Sequence, residues 1–147
     1  MLSMVLETLI RIALACMVAY VPIRCRNKNE GRCRLMLEIL TGEEFVSTRS
    51  LPWLINPITN RHLELDCYCD KLKIAVEVNG DQHYKKDAYY SRDLEYQVYK
   101  DRVKEILCYQ NGVTLIIIPY TIPATSLCSY IVSKLELIRR LQKDYIS

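Results

Sequence analysis

Several features are missing from this sequence, and each absence excludes a class of protein. The seven cysteines include no Cys-X-X-Cys pair and are accompanied by only two histidines, so we expect no structural zinc. There is no internal repeat and no low-complexity segment. Half of the residues are hydrophobic, which argues against disorder. The chain has no strong charge excess either. Its net charge of +3 permits nucleic-acid binding without requiring it.

A long uncharged apolar run is also missing. Residues 1–23 are mostly apolar, but Glu7 and Arg11 interrupt them and Pro22 ends them, which leaves about a dozen uncharged residues where a bilayer span needs about 20. A signal peptide is less favoured, because the start is acidic and the cysteine usage indicates a reducing, intracellular compartment. We therefore expect an apolar helix over residues 1–23, packed on a single domain of residues 24–147. Membrane association is not expected, and a membrane-anchored or exported form is the minor alternative.

The most informative stretch runs from Leu63 to Tyr84, LELDCYCDKLKIAVEVNGDQHY. Apolar and polar residues alternate from 63 to 69 and again from 73 to 79, which is typical of two half-buried strands. Only a hairpin fits the short break between them. If Lys71 and Leu72 form its tip, Asp66 lies directly opposite Glu77 and on the same face.

Like charges at such a cross-strand pair are destabilising unless something neutralises them, and a divalent metal would do so. The alternative is a solvated hairpin face on which both carboxylates turn towards water; spacing alone does not separate the two. The polar cluster that follows at once favours a site. It comprises Asn79, Gly80, Gln82 and His83, with Lys85 and Lys86 just beyond.

The remaining pattern predicts an α/β fold: a mixed sheet with a central hairpin, flanked by helices. One helix should start at Asn27 or Asn29 and end near Leu40, before Gly42. A second should cover residues 88–111, with an inward stripe of Leu94, Val98, Val103, Ile106 and Leu107 and an outward charged face that includes Arg92, Asp101 and Lys104. Residues 113–118 predict a strand buried on both faces and parallel to the Glu77 strand, and a last helix should begin near Thr125.

The 63–84 stretch resembles the core of the PD-(D/E)XK nuclease superfamily, in the branch related to very short patch repair endonucleases. There an Asp begins one strand, a Glu or Asp lies on the next, and a Lys follows two positions later. The flanking RSLPWLINPITNRHLELD and YKDRVKEILCYQNGVTLIIIPY also resemble small proteins of large DNA viruses. The resemblance covers about residues 30–120 and implies a restriction-endonuclease-like core.

The resemblance also implies a set of site residues. Asp66 and Glu77 would bind Mg²⁺ or Mn²⁺, with the carbonyl of Val78 as a third ligand and Glu30 assisting. Asn79 stands where the superfamily has its Lys, so Gln82, His83 or Lys85 would have to replace it. Arg92, Asp101 and Lys104 match positions that recur near the site in the family.

Independently of the resemblance, basic side chains suggest a nucleic-acid surface. We expect Arg61 to contact phosphate, whereas Trp53 is better explained as part of the core. The full set of expected nucleic-acid contacts is Arg49, Arg61, Lys85, Lys86, Arg92 and Lys104.

These inferences lead to a metal-dependent DNA endonuclease that acts in the repair or processing of mismatched, nicked or branched DNA. We place it in the cytoplasm, the nucleus or a viral replication site. A homodimer is one way to supply two active sites. The alternatives are an inactive nucleic-acid-binding module that retains the nuclease fold, suggested by Asn79, and a structural or protein-binding domain, suggested by the apolar segment 1–23.

Overall fold

The chain was analysed as a computed structural model, which describes residues 1–20, 22, 28–79 and 91–146. The described elements, in chain order, are α1 (Leu2–Met17) with a 3₁₀ turn at Val18–Tyr20, α2 (Lys28–Thr41), β1 (Val46–Thr48), β2 (Leu65–Cys69), β3 (Ile74–Val78), α3 (Ser91–Gln110), β4 (Thr114–Ile118) and α4 (Ala124–Ile146). They form two compact units. One contains residues 1–45 and 122–147, and the other contains Val46–Thr121.

The Val46–Thr121 unit contains a mixed four-stranded sheet with the strand order β1-β2-β3-β4. The first three strands are antiparallel neighbours, and β4 pairs parallel with β3, Glu77 opposite Ile117. A parallel pair needs a crossover connection, and α3 lies in the sequence between these two strands. The predicted mixed sheet with a central hairpin and a parallel strand beyond it is confirmed.

The hairpin has the predicted register, since Cys67 pairs with Val76 and Cys69 with Ile74. Its turn is closed by the Lys73 N–H, which donates to the Asp70 carbonyl at 3.3 Å. The predicted half-buried strands are wrong, because residues on both faces of β2 and β3 are buried. Glu77 is only 8% exposed, so its carboxylate does not turn towards water and the solvated-face alternative is also wrong.

Helix α3 has the predicted position but a different inward face. Val98 and Ile106, expected inside, are 51% and 55% exposed. Val103 and Cys108 are buried instead, in the core cluster that also contains Leu54, Leu63, Leu65, Tyr68, Ala75 and Val113. Lys100 lies three residues before Val103 and four before Lys104, and the Lys104 side chain is only 12% exposed. The predicted solvated position of Lys104 is therefore wrong.

Strand β4 is less buried than predicted. Ile116 and Ile118 are buried, whereas Leu115 and Ile117 are half-buried and Thr114 is exposed. As the last strand in the order, β4 has a neighbour on one side only, and its alternate residues are incompletely covered.

In the other unit, α1, α2 and α4 contact one another. Helix α2 buries Cys33, Met36 and Leu37 and ends at Gly42, which has a φ of 73° and donates its N–H to the Glu38 carbonyl at 2.9 Å. The predicted glycine stop is confirmed. A Cβ at Gly42 would also lie 2.8 Å from Nη1 of Arg11, so this position needs glycine for both conformation and space.

The described cysteines are all free thiols, and five of the six are buried. Cys16 is exposed, and its Sγ lies 3.0 Å from the Sγ of Cys128. Burial, followed by the contact with Cys16, raises the pKa of Cys128 to about 12, so this thiol stays protonated at neutral pH.

Candidate active site

Asp66 and Glu77 lie side by side on the two central strands, β2 and β3. Each carboxylate is contacted by a backbone N–H group of the neighbouring strand. The Val78 N–H donates to Oδ2 of Asp66 at 2.9 Å, and the Asp66 N–H is 3.4 Å from Oε1 of Glu77. Both contacts follow from the hairpin register, which places residues 66 and 77 at the same level. The positions of the two carboxylates are therefore set by the backbone of the sheet.

Lys104 of α3 completes this group. Its Nζ donates to Oε2 of Glu77 at 2.7 Å, and the two side chains are 12% and 11% exposed. Burying a lysine is unfavourable unless a counter-charge meets it, and Glu77 is that counter-charge. The interaction joins the helix to the strand pair and creates a triad of Asp66, Glu77 and Lys104.

The charge on Glu77 is incompletely neutralised. Burial is the largest influence and raises its pKa; Lys104 opposes this, and the neighbouring Asp66 charge adds to it, so that the pKa of Glu77 reaches about 7. Burial and the Glu77 charge also raise the pKa of the Cys108 thiol to about 11. An additional cation beside Glu77 would therefore be stabilised by the charges already there.

A cavity of about 300 Å³ opens beside the triad, with Asp66 and Lys104 in its wall. Its remaining lining residues are Arg49, Asn56, Thr59, Arg61, His62, Leu63, Glu64, Tyr96, Gln97 and Lys100. Four basic side chains thus surround two acidic ones. A lining that combines cationic side chains with the Asp66 carboxylate is suited to a phosphodiester that is approached by a cation.

Arg49 and Glu64 form an ion pair at the rim, with Nε of Arg49 2.7 Å from Oε2 of Glu64. Burial raises the pKa of Glu64, but hydrogen bonds from Arg49 and Ser47 outweigh it and hold the pKa below its usual value. Glu64 is therefore an ionised carboxylate with a partner of its own. Glu64 differs from Glu77 in the direction of its pKa shift and therefore provides an internal control.

The loop that carries Arg61 is organised by Asn56, which is 1% exposed. The Oδ1 atom of Asn56 accepts hydrogen bonds from the backbone N–H groups of Ile58 at 2.9 Å and Thr59 at 3.2 Å. The backbone N–H of Asn56 donates to the Arg61 carbonyl at 2.9 Å. An Asn-Pro pair favours such a turn, because the side chain can cap the following backbone. The turn holds Thr59 and Arg61 at the cavity.

Tyr96 of α3 borders the same cavity, and Tyr99 lies next to it on the helix. The rings of Tyr96 and Tyr99 are stacked, with centroids 6.1 Å apart and an interplanar angle of 24°. The hydroxyl of Tyr99 donates to Oδ1 of Asn56 at 3.1 Å, and Nζ of Lys100 lies 5.1 Å from the centroid of Tyr96. Tyr96 is 46% exposed, so it offers a supported aromatic surface to a nucleobase.

The structure brings together some of the predicted site residues and leaves others untested. Asp66, Glu77, Lys104, Arg49 and Arg61 belong to the triad or the cavity. The backbone N–H of Asn79 donates to the Ile118 carbonyl at 3.0 Å at the end of β3. Gln82, His83, Lys85, Lys86 and the side chain of Arg92 lie outside the described residues.

The remaining metal ligands also stay predictions. Glu30 is in the first turn of α2, in the unit that does not contain Asp66 and Glu77. Val78 is adjacent to Asp66 through its N–H, whereas the predicted ligand is its carbonyl. Among the described residues, no group of three His, Cys, Asp or Glu side chains is arranged to hold a metal. Trp53 packs edge-to-face on Tyr68, with centroids 6.4 Å apart, which confirms its predicted place at the core.

Sequence reasoning missed Asn56, Tyr96, Gln97 and Lys100. Asn56-Pro57 is a turn signal, but the sequence does not show that its turn borders a cavity. Gln97, Lys100, Asp101 and Lys104 recur at three- and four-residue steps, which marks a continuous polar stripe on α3. Such a stripe is usually solvated. Its burial here could be recognised only from the position of Glu77.

Three viral proteins are similar to this chain. It is 35% identical over 113 residues to uncharacterized protein 033L of Invertebrate iridescent virus 3, covering 75% of this chain and 58% of that protein. It is 41% identical over 127 residues to uncharacterized protein 307L of Invertebrate iridescent virus 6, covering 75% and 64%. It is 38% identical over 100 residues to uncharacterized protein 094L of Frog virus 3, covering 65% and 64%.

The chain thus spans about three fifths of the length of these relatives. No family profile matches the sequence, and no solved structure matches the chain.

Proposed function

We propose that this protein is a metal-dependent endonuclease that hydrolyses DNA phosphodiesters at the triad of Asp66, Glu77 and Lys104. The observation that carries the proposal is the 2.7 Å contact between Lys104 and Glu77 at the edge of a basic cavity. A lysine next to two carboxylates is the combination expected of the PD-(D/E)XK resemblance. Here the lysine comes from α3 instead of from the Glu77 strand.

The two carboxylates fit a divalent metal. Mg²⁺ is commonly held by one or two carboxylates, with water and substrate oxygens completing its shell, so a third acidic ligand is not required. Burial raises the pKa of Glu77 to about 7 despite the contact with Lys104, and a cation bound beside it would favour the ionised carboxylate. The metal would supply charge stabilisation at the phosphate and a more acidic water.

Lys104 provides the positive charge that Asn79 cannot. Its ammonium group is anchored on Glu77 and reaches the cavity wall, where it can donate hydrogen bonds to a phosphate oxygen or orient the attacking water. The inactive-module alternative rested on the absence of a lysine at position 79. A lysine that reaches the same carboxylate by another route favours the active enzyme.

The cavity wall supplies substrate contacts. Arg61 and Lys100 present cationic groups for the phosphates on either side of the scissile bond, and Tyr96 presents a ring face on which an unpaired base can stack. A base is most easily available for stacking where the duplex is interrupted. This supports nicked, mismatched or branched DNA as the substrate class.

The proposal is tested by cleavage of labelled linear, nicked, mismatched and four-way-junction DNA in Mg²⁺, Mn²⁺ or EDTA. We expect metal-dependent cleavage that Asp66→Asn abolishes. Glu64→Gln is the matched control, because it removes a carboxylate from the same cavity wall that is already paired with Arg49. It should retain cleavage within about tenfold of the wild-type rate.

Cleavage retained in Asp66→Asn, or lost equally in Glu64→Gln, would contradict the assignment of the triad. Salt-dependent DNA binding without cleavage of any substrate would instead favour the inactive binding module. A second measurement separates the metal-dependent endonuclease from the inactive binding module. Mg²⁺ or Mn²⁺ should raise the thermal midpoint of the wild type but not of Asp66→Asn, since a ligand of the native state stabilises it.

A further inference from the structure

Helix α1 exposes an unusually large apolar surface. Eight of its large apolar side chains are more than half exposed, including Leu2 at 86%, Leu6 at 59%, Leu9 at 57% and Met17 at 63%; the others are Met4, Val5, Ile10 and Leu14. Only Ala15 in the helix and Val18 in the following turn are buried. A contiguous apolar surface on this scale marks an interaction site.

The polar side chains of α1 are concentrated on one side of the helix. Glu7, Thr8 and Arg11, together with Met4 and Ile12, line a groove that is closed by Leu40 and Thr41 of α2 and Arg139 of α4. Glu7 and Arg11 form an ion pair of 2.8 Å within α1, which neutralises its only two charges. Apart from this paired and partly exposed group, the exposed surface of the helix is mostly apolar.

We propose that the outward face of α1 binds the surface of a lipid membrane, lying in the interface rather than crossing it. At 100° per residue, the exposed apolar positions other than Met4 cover about half of the helix circumference, and neither charged residue of α1 falls within that arc. The arc includes Leu2, Leu6, Leu9, Ile10 and Met17. Insertion into the boundary between headgroups and acyl chains covers an arc of this width.

The ends of the helix fit this location. Tyr20 follows α1 and is 78% exposed, and tyrosine is typical of the membrane–water interface. The sequence from Arg24 to Arg34 then holds five basic residues and one acidic residue, which would favour anionic headgroups. Residues 2–20 are long and apolar enough to span a bilayer, but signal sequences near an N-terminus pass the same test. Contacts of α1 with α2 and α4 favour the interfacial position, because a spanning helix would have to leave them.

A second copy of the chain is the main competing occupant. A two-helix seam needs a narrow stripe at heptad spacing, and the positions outside it are normally polar. In α1 the positions beside Leu2, Leu6 and Leu9 are also apolar, since Val5, Ile10 and Leu14 flank them and are exposed. The width of the surface therefore favours lipid over a paired helix.

The test is co-sedimentation of the full chain with phosphatidylcholine vesicles, with and without phosphatidylserine, at low and high salt. The double variant Leu6→Glu/Leu9→Glu places two charges on the outward face. Ile58→Glu/Tyr109→Glu is the matched control, because these exposed apolar residues, at 76% and 86%, lie in the other unit. All proteins are compared by circular dichroism, so that loss of folding is recognised.

We expect wild type and control to bind, more tightly to the anionic vesicles, and the α1 variant to bind at least about tenfold more weakly while remaining folded. Equal binding of wild type and α1 variant would overturn the proposal. So would a wild type that stays in the supernatant and is dimeric by light scattering, with the α1 variant monomeric. Nuclease activity plays no part in the measurement, so its result is independent of the proposed function.

Discussion

Helices α1 and α3 both expose large apolar side chains to the solvent, but they differ in what their charged residues contact. In α3, Val98 and Ile106 are exposed while Lys104 is held inside by Glu77. In α1, most of the exposed residues are apolar, and its two charged residues pair with each other at a groove beside α2 and α4. One helix contributes a charge to an enclosed site, and the other presents an apolar surface outward.

The difference shows what decides the inward face of a helix. A 3.6-residue period indicates that a helix forms, but the partners available to each face determine which side is buried. For Lys104 the partner is a carboxylate on β3, whose attraction offsets the cost of burying the ammonium group. For the outward face of α1, the described part of the chain supplies no such partner.

The largest expected effect comes from removing the buried charge of α3, which is that of Lys104. Lys104→Met should lower the single-turnover rate of DNA cleavage by at least about 100-fold, because a positioned donor to a developing charge is worth this much. Lys104→Arg should recover part of the loss. Lys100→Met is the matched control one turn away; it loses a contact with Tyr96 but not the contact with Glu77.

Lys100→Met should cost no more than about tenfold and act mainly on DNA affinity. A larger effect of Lys100→Met than of Lys104→Met would move the catalytic lysine out of the triad. Circular dichroism and the DNA dissociation constant, measured alongside the rate, distinguish a lost chemical contact from a lost fold or lost binding.

The next effect is on stability as a function of pH. The pKa of Glu77 rises from 4.5 to about 7 on folding, so the folded state binds this proton more tightly than the unfolded state. The resulting stability is complete below pH 4.5 and is lost as the pH rises to about 7, a change on the order of 3 kcal/mol. Glu77→Gln should remove this fall from the free energy of unfolding.

Glu64 should show the opposite sign. Its pKa is lowered in the folded state, so its contribution is present above pH 4.5 and is lost as the pH falls. Glu64→Gln should therefore flatten the acid side of the profile and leave the change between pH 5 and about 7 intact. Identical profiles for the two variants would contradict the contrast between the buried and the paired carboxylate.

The smallest effect concerns the apolar residues of α3. Val103→Ala removes buried methyl groups and should cost about 2 kcal/mol in urea unfolding, whereas Val98→Ala should stay within about 0.5 kcal/mol. The two changes are chemically identical and differ only in exposure, which is 8% for Val103 and 51% for Val98. Equal costs would show that the inward face of α3 has been assigned incorrectly.

Much of the local structure could be predicted from the sequence alone. Alternating apolar residues and a three-residue break were sufficient to place the hairpin and its register, because side chains on a strand have a period of two and a short loop permits few pairings. From that register followed the juxtaposition of Asp66 and Glu77. Gly42 marked the end of α2 correctly, and the predicted end of α3 at residue 111 lies one residue beyond its observed end at Gln110.

The tertiary structure decided which side chains are enclosed and what they meet. The depth of Glu77, the approach of Lys104 and the cavity framed by Asn56, Arg61 and Tyr96 depend on contacts between residues that are far apart in the chain. Periodicity cannot specify them, because a polar stripe on a helix has the same spacing whether it faces water or a buried counter-charge. The sequence determined the carboxylate pair; the packing of α3 against the sheet determined that a lysine stands beside it.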